Sequence, residues 1–187
     1  MRESPTPAPE PFVLAGSLLL AHPAMNGDAF RRSVVLLSTH DENGAMGIVL
    51  NRPLGKQLGQ LDPAFALTKL ADVPLYRGGP VETARLMLCG WRFHPDGSGF
   101  QLMFGINPDK ALDLLDTGGV HLRGFMGYSG WSAGQLENEM KHQAWVVSPL
   151  RPDAFAATGR RLWSDLLGSL APEWKLLANE PDDPALN

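Results

Sequence analysis

Two apolar runs around one tight polar tetrapeptide constrain the fold of this chain more than any other feature. Ser33–Thr39 and Met46–Asn51 are rich in β-branched residues and leucine, and they flank Asp41-Glu42-Asn43-Gly44. That pattern reads as a β-hairpin closed by a four-residue turn. Both faces of each run are largely apolar, as in a strand covered on two sides.

The rest of the chain supplies further strands and a few helices. Phe12–Ala21, Leu75–Arg77, Ala84–Gly90, Phe100–Gly105, Val120–Met126 and Trp145–Val147 read as short strands between turns bearing Gly or Pro. Leu61–Leu70 reads as a helix. Asn107-Pro108 opens another, with Asn as N-cap and Pro in the first position, and Gly118-Gly119 closes it. Ser132 and Gln135 fit a capping box ahead of a stripe made by Leu136 and Met140, with Glu137 and Lys141 as an i,i+4 pair. Gly159–Leu170 is amphipathic and buries Leu162, Trp163, Leu166, Leu167 and Leu170. Many strands that do not strictly alternate with helices indicate an α+β single domain, with a largely antiparallel or mixed sheet packed by a few helices.

Composition bounds the function classes. Of 187 residues, 20 are Gly and 16 are Pro, 36 in all and about a fifth of the chain, against a usual ~12%. Apolar residues make up 44%, enough for a sizeable core, so the excess marks tight turns rather than disorder. The first eleven residues (Arg2, Glu3, Glu10) and the last nine (Glu180, Asp182, Asp183) carry −1 and −3, the whole of the net −4. Residues 1–11 and 179–187 read as flexible tails around a formally neutral domain at 12–178. A net charge of −4 and a pI near 5.7 for the whole chain argue against a dedicated nucleic-acid binder. Cys89 is the single cysteine, which excludes an intrachain disulfide, argues against a Cys-based zinc site and fits the cytoplasm. Phe12–Ala21 is half of a membrane span, and its leader is acidic and proline-rich, so neither a membrane anchor nor a signal peptide is expected.

The hairpin also gathers chemistry. A loop at Asp41–Gly44 pairs Val34 with Asn51 and Ser33 with Arg52, so Arg32, Ser33, Asn51 and Arg52 meet at its open end. Two guanidiniums beside a hydroxyl and an amide suit a carboxylate or a phosphate. Alternatively, these arginines pair with structural carboxylates and brace the strand ends. His40 lies seven residues from Ser33, roughly 23 Å at strand rise, and should not share that site.

Other constellations are weaker. Gly127-Tyr128-Ser129-Gly130-Trp131 falls between a strand and a helix, like a nucleophile elbow, but Trp131 stands where the last Gly is required. A hydrolase using Ser129 or His40 is therefore an alternative without an assignable partner residue. The same segment also reads as a strand-to-helix turn with Tyr128 and Trp131 packed in the core. Glu139 and His142 have the spacing of a di-iron helix motif without the further carboxylate-bearing helices. Gly78-Gly79-Pro80 is too short for a phosphate loop. No metal set and no cofactor motif emerges. Arg31-Arg32 and Arg160-Arg161 are too sparse for a nucleic-acid stripe, which leaves direct DNA binding as a second alternative.

Taken together, several stretches resemble the AlgH/YqgE family of small bacterial proteins. They are Leu18–Met25, Phe30–Val35 through His40, Gly44–Pro53, Gly78–Val81, Gly127–Trp131, and Gly134–Glu137 to Trp145. Departures are Leu88-Cys89-Gly90-Trp91 for a Leu-His dipeptide, Gln143 for Asn, and Ser38-Thr39 for Cys-Glu, while the Ser129 position is often Ala in the family. The resemblance implies an α+β fold with a substantial sheet and no established activity or cofactor. The family's founding member is linked genetically to control of alginate synthesis, hence a transcriptional-regulator label that the sequence does not support as a DNA-binding claim. The leading expectation is a cytoplasmic, non-catalytic regulatory or binding protein. Its candidate surface is Arg32, Ser33, Asn51 and Arg52, joined by Tyr128, Trp131 and Glu137, and its partner an anionic small molecule or a protein carboxylate.

Overall fold

The computed structural model describes residues 14–178 except 95, 97, 98 and 156, so the two tails lie outside the described residues. Apolar runs and Gly- or Pro-bearing turns define nine strands among them. These are β1 (Leu18–Ala21), β2 (Val34–Asp41), β3 (Gly44–Val49), β4 (Pro53–Gln57), β5 (Pro74–Arg77), β6 (Val81–Phe93), β7 (Phe100–Ile106), β8 (His121–Ser132) and β9 (Trp145–Ser148). The helices are α1 (Leu58–Leu61), α2 (Pro108–Thr117), α3 (Gln135–Lys141), α4 (Gly159–Leu170) and α5 (Pro172–Ala178). The strands form one curled sheet in the order β4-β5-β8-β3-β2-β1-β9, with β6 bridging β8 and β7. β5 and β8 run parallel, and the other pairs are antiparallel. This is the expected α+β domain with a mixed sheet.

The central hairpin is buried on both faces, as its sequence requires. Leu18, Leu20, Val34, Leu36, Ile48 and Leu50 pack against Leu162, Trp163, Leu166 and Leu167 of α4. Leu19, Ala21, Val35, Leu37 and Val49 face the other way, onto Trp131, Leu136 and Trp145. Trp163 is fully buried, and its indole N–H donates to Ala21 O at 2.8 Å, so its polar edge is satisfied. A third core lies under α1 and α2, built on Leu58, Leu70, Leu75 and Leu88.

Several elements differ from the sequence reading. The turn shrinks to two residues, because Asp41 and Gly44 themselves pair. The expected pairing holds from there to Thr39, opposite Met46, then slips by one at a bulge, so that Leu37 faces Gly47. Ser38 is the extra residue, and its hydroxyl donates to Met46 O at 3.0 Å. The slip corrects the expected Val34–Asn51 strand pair: the Leu50 N–H donates to Val34 O instead. β1 begins only at Leu18, after a turn at Ala15-Gly16. Leu61–Leu70 is no continuous helix. Asp62 caps a 3₁₀ turn over Pro63–Phe65 by accepting from Ala64 N, and that turn ends α1 after one turn. β4 and α5 add to the expected elements, and Leu170 is 39% exposed rather than buried.

β8 is the element that organises the rest. It does not stop at Met126 but continues to Ser132, passing from β5 and β6 onto β3. Gly127 takes φ +71° at the crossing, where a Cβ would lie 2.7 Å from Val81 O. Gly78-Gly79 meets β8 at the same place, and a Cβ on Gly79 would lie 2.1 Å from Tyr128 O. The two glycine motifs are thus the halves of one close backbone contact.

Candidate functional site

The open end of the hairpin does collect Arg32, Asn51 and Arg52. Asn51 is 3% exposed, and its amide is fully engaged. Its Oδ1 accepts from Val34 N at 3.0 Å, while its Nδ2 donates to Arg32 O and Gly159 O, both at 2.9 Å. The side chain therefore ties β2, the end of β3 and the start of α4 into one joint, and it is bracing rather than a free ligand group. Arg52 braces as well, its Nη2 donating to Asp28 O (3.2 Å) and Arg31 O (3.1 Å). These acceptors are backbone carbonyls rather than the carboxylates that a bracing role was expected to use. Arg32 sits at φ +55°, in the left-handed region, with its guanidinium 5.7 Å from the Trp163 ring centroid. Ser33 is fully buried, and its hydroxyl has no hydrogen-bond partner among the described residues, so it drops out of the ligand-facing set.

Two concavities flank Arg52. One, of about 260 Å³, is lined by Arg31, Arg32, Asn51, Arg52, Gly159 and Arg160. Gly159 opens α4, whose N-terminus adds a partial positive charge to the four guanidiniums. The other, of about 610 Å³, shares Arg52 and adds Arg77, Asp28, Thr83 and an apolar wall. Arg52 and Arg77 are neighbours across the β4–β5 ladder: Pro53 pairs with Tyr76, and Arg77 N donates to Arg52 O at 2.8 Å. Burial holds the Arg52 guanidinium below its ordinary range, the Arg77 cation adds to this, and Asp28 opposes it.

The other candidates lie elsewhere, which corrects the enlarged surface. Glu137 Oε1, on α3, accepts from His40 Nε2 at 2.8 Å near the turn end of the hairpin. Leu14 N–H donates to the other ring nitrogen of His40 at 3.1 Å, so both nitrogens are engaged. Trp131 is buried in the second core, with its indole N–H on Glu139 Oε2 (2.9 Å), and the Trp145 indole shares that oxygen (2.7 Å). Tyr128 packs on the main core and pairs with Val81. None of these three lines either concavity around Arg52.

Ser129 is no elbow nucleophile. It lies inside β8, fully buried, and its hydroxyl donates to Gly78 O at 3.3 Å. α3 starts only at Gln135, behind Gly134, although Gln135 Oε1 does accept from Ser132 N at 3.1 Å, half of the expected capping box. Glu139 is committed to the two tryptophans, and His142 Nδ1 to Asn138 O. Among the described residues no three His, Cys, Asp or Glu side chains converge as a metal site, and no helix is long and apolar enough to cross a membrane. The sequence reading missed Arg77 because β4 was not recognised. A strand placed directly after Arg52-Pro53 would have set it opposite Leu75–Arg77.

A curled mixed sheet covered by helices, with arginine-lined concavities at the open end of its central hairpin, defines the class as an α+β domain. The chain belongs to the AlgH-like family (DUF179), whose model matches residues 18–175. It is 35% identical over 181 residues to a UPF0301 protein of Chlorobium chlorochromatii, covering 92% of this chain and 95% of that one. The UPF0301 protein SCO2948 of Streptomyces coelicolor is 36% identical over 188 residues, covering 93% and 95%. The solution structure of the AlgH protein from Pseudomonas aeruginosa superposes with a TM-score of 0.65 at 30% identity, covering 98% of this chain and all of that one. The crystal structure of protein DIP2367 from Corynebacterium diphtheriae shares the fold, with a TM-score of 0.69 at 24% identity and coverage of 96% and 95%. None of these names states an activity.

Proposed function

We propose that this AlgH-like protein is a non-catalytic regulatory binding protein of the cytoplasm, and that its ligand is a small phosphate-bearing molecule. The carrying observation is the concavity lined by Arg31, Arg32, Arg52 and Arg160 at the N-terminus of α4. Guanidiniums bind phosphate oxygens through paired N–H donors, and a helix N-terminus favours the same charge. Asn51 holds the frame by fixing the Arg32 carbonyl and Gly159 in place. The small, concave shape favours a small molecule over the carboxylate of a partner protein.

Calorimetric titration of the full chain with inorganic pyrophosphate and with AMP tests the reading. Binding should weaken as salt rises, because the contact is ionic. Arg160→Gln, at an exposed position, should weaken it about tenfold. Absence of binding for both compounds, or equal binding by the variant, overturns the proposal.

A further inference from the structure

The larger concavity has a different chemistry from the arginine-rich one, and its charged rim is built by the fold. At about 610 Å³ it has the size of an ordinary small-molecule site. Its wall is apolar: Val49 is buried at the end of β3, and Leu54 of β4 and Met126 of β8 complete the surface. On its rim stand Arg52 and Arg77, placed side by side by the β4–β5 ladder. Like charges facing each other across strands are unfavourable, and the cleft's one carboxylate, Asp28, offsets only one of the two. Arg52 is already fixed in place by its bonds to the Asp28 and Arg31 carbonyls, so one half of the anion clamp is preorganised. Arg77 is exposed on the opposite strand.

The charge count narrows the ligand. Two arginines and one aspartate, Asp28, line the cleft, a net of +1 among the described residues. A single negative charge is matched there. We infer that the cleft binds a small organic monocarboxylate, with the carboxylate between Arg52 and Arg77 and the apolar body against Val49, Leu54 and Met126.

This inference is independent of the phosphate reading, because Arg77 lines only this cleft and Arg160 only the other. Phenylacetate, hexanoate, acetate and the neutral phenylacetamide are titrated into the full chain by calorimetry. Phenylacetate or hexanoate should bind at least tenfold more tightly than acetate, which lacks the body, and phenylacetate at least tenfold more tightly than phenylacetamide, which lacks the charge. Arg77→Gln should weaken carboxylate binding at least tenfold and leave pyrophosphate binding unchanged, with Arg160→Gln showing the reverse. Arg77→Lys, which keeps the charge but not the paired donors, should fall between the wild type and Arg77→Gln. The inference is overturned if neither acid with an apolar body binds, if phenylacetamide binds as well as phenylacetate, or if Arg77→Gln binds the acids as the wild type does. Urea unfolding of Arg77→Gln, with the midpoint expected at the wild-type value, reports whether the fold around Arg52 is intact.

Discussion

Replacing Asn51 by Ala should be among the most damaging substitutions in the molecule, although it removes only one small polar side chain. The amide makes three hydrogen bonds to backbone groups of residues far apart in sequence: Val34 N, Arg32 O and Gly159 O. The bonds to Arg32 O and Gly159 O are each worth about 1 kcal/mol net, and leaving the buried Val34 N without a partner costs ~1–3 kcal/mol. With Asn51 only 3% exposed, water cannot easily substitute. The expected loss is ~3–5 kcal/mol, a large part of the ~5–15 kcal/mol that holds a domain together. At a urea m-value of ~2 kcal/mol/M, the unfolding midpoint falls by about 2 M. Ser33→Ala is the matched control, one residue from the same joint and fully buried. Its hydroxyl is desolvated without a described partner, so its removal should be neutral or stabilise by up to ~1 kcal/mol. The reasoning fails if Asn51→Ala costs less than ~1 kcal/mol, or if Ser33→Ala costs more than Asn51→Ala.

Arg123 is 6% exposed, lies 4.5 Å from the Tyr76 ring centroid and 5.1 Å from that of Trp91, and donates to Phe155 O at 2.8 Å. Arg123→Lys cannot keep both the stacking and that bond, and should cost ~2 kcal/mol in a denaturant titration. Glu137 has its carboxyl held below the ordinary 4.5, first by a hydrogen bond from its own backbone amide and then by His40. Because the folded value is the lower one, this stabilisation is complete above the ordinary carboxylate range and is lost as pH falls through the folded value. The stability difference between wild type and Glu137→Gln, followed in urea melts, should be flat above about pH 5.5 and shrink below about pH 4.5; a difference that grows on acidification contradicts the pairing. Burial pushes the Cys89 thiol up to about 12. A thiol reagent at about pH 8 should therefore label it only as fast as the protein opens, and rapid labelling of the native protein would refute its burial.

Local patterns were legible wherever one element could satisfy them by itself. α4 runs over the residues its stripe marks, Gly159–Leu170, because Leu162, Trp163, Leu166 and Leu167 recur on a helical face. α2 begins at its Asn107-Pro108 signal, with the Asn107 side chain accepting from Lys110 N at 2.8 Å. The misreadings occur where a distant partner decides. Leu61–Leu70 has helical spacing, yet Pro63 and the cap at Asp62 cut it, and Leu67 ends fully exposed. Ser38 looked like any other strand residue, but its bond to the Met46 carbonyl makes it a bulge and moves every later pair of the hairpin by one.

The same distinction explains the site. The open end of the hairpin could be located from the turn alone, so Arg32, Asn51 and Arg52 were found together despite the one-residue slip. What each side chain does there depends on which backbone groups lie opposite, and those come from α4 and from the 27–32 loop. Arg77 required more. It stands directly before Gly78-Gly79, whose near contact with β8 at Gly127 and Tyr128 leaves no room for a Cβ on either glycine. That contact fixes the end of β5 against β8, with Arg77 opposite Met126, while the β4–β5 ladder brings Arg52 alongside. The glycines therefore need bind nothing themselves to matter for binding. They let three strand segments converge closely enough for two like charges to share the rim of an apolar cleft, an arrangement that an anion stabilises.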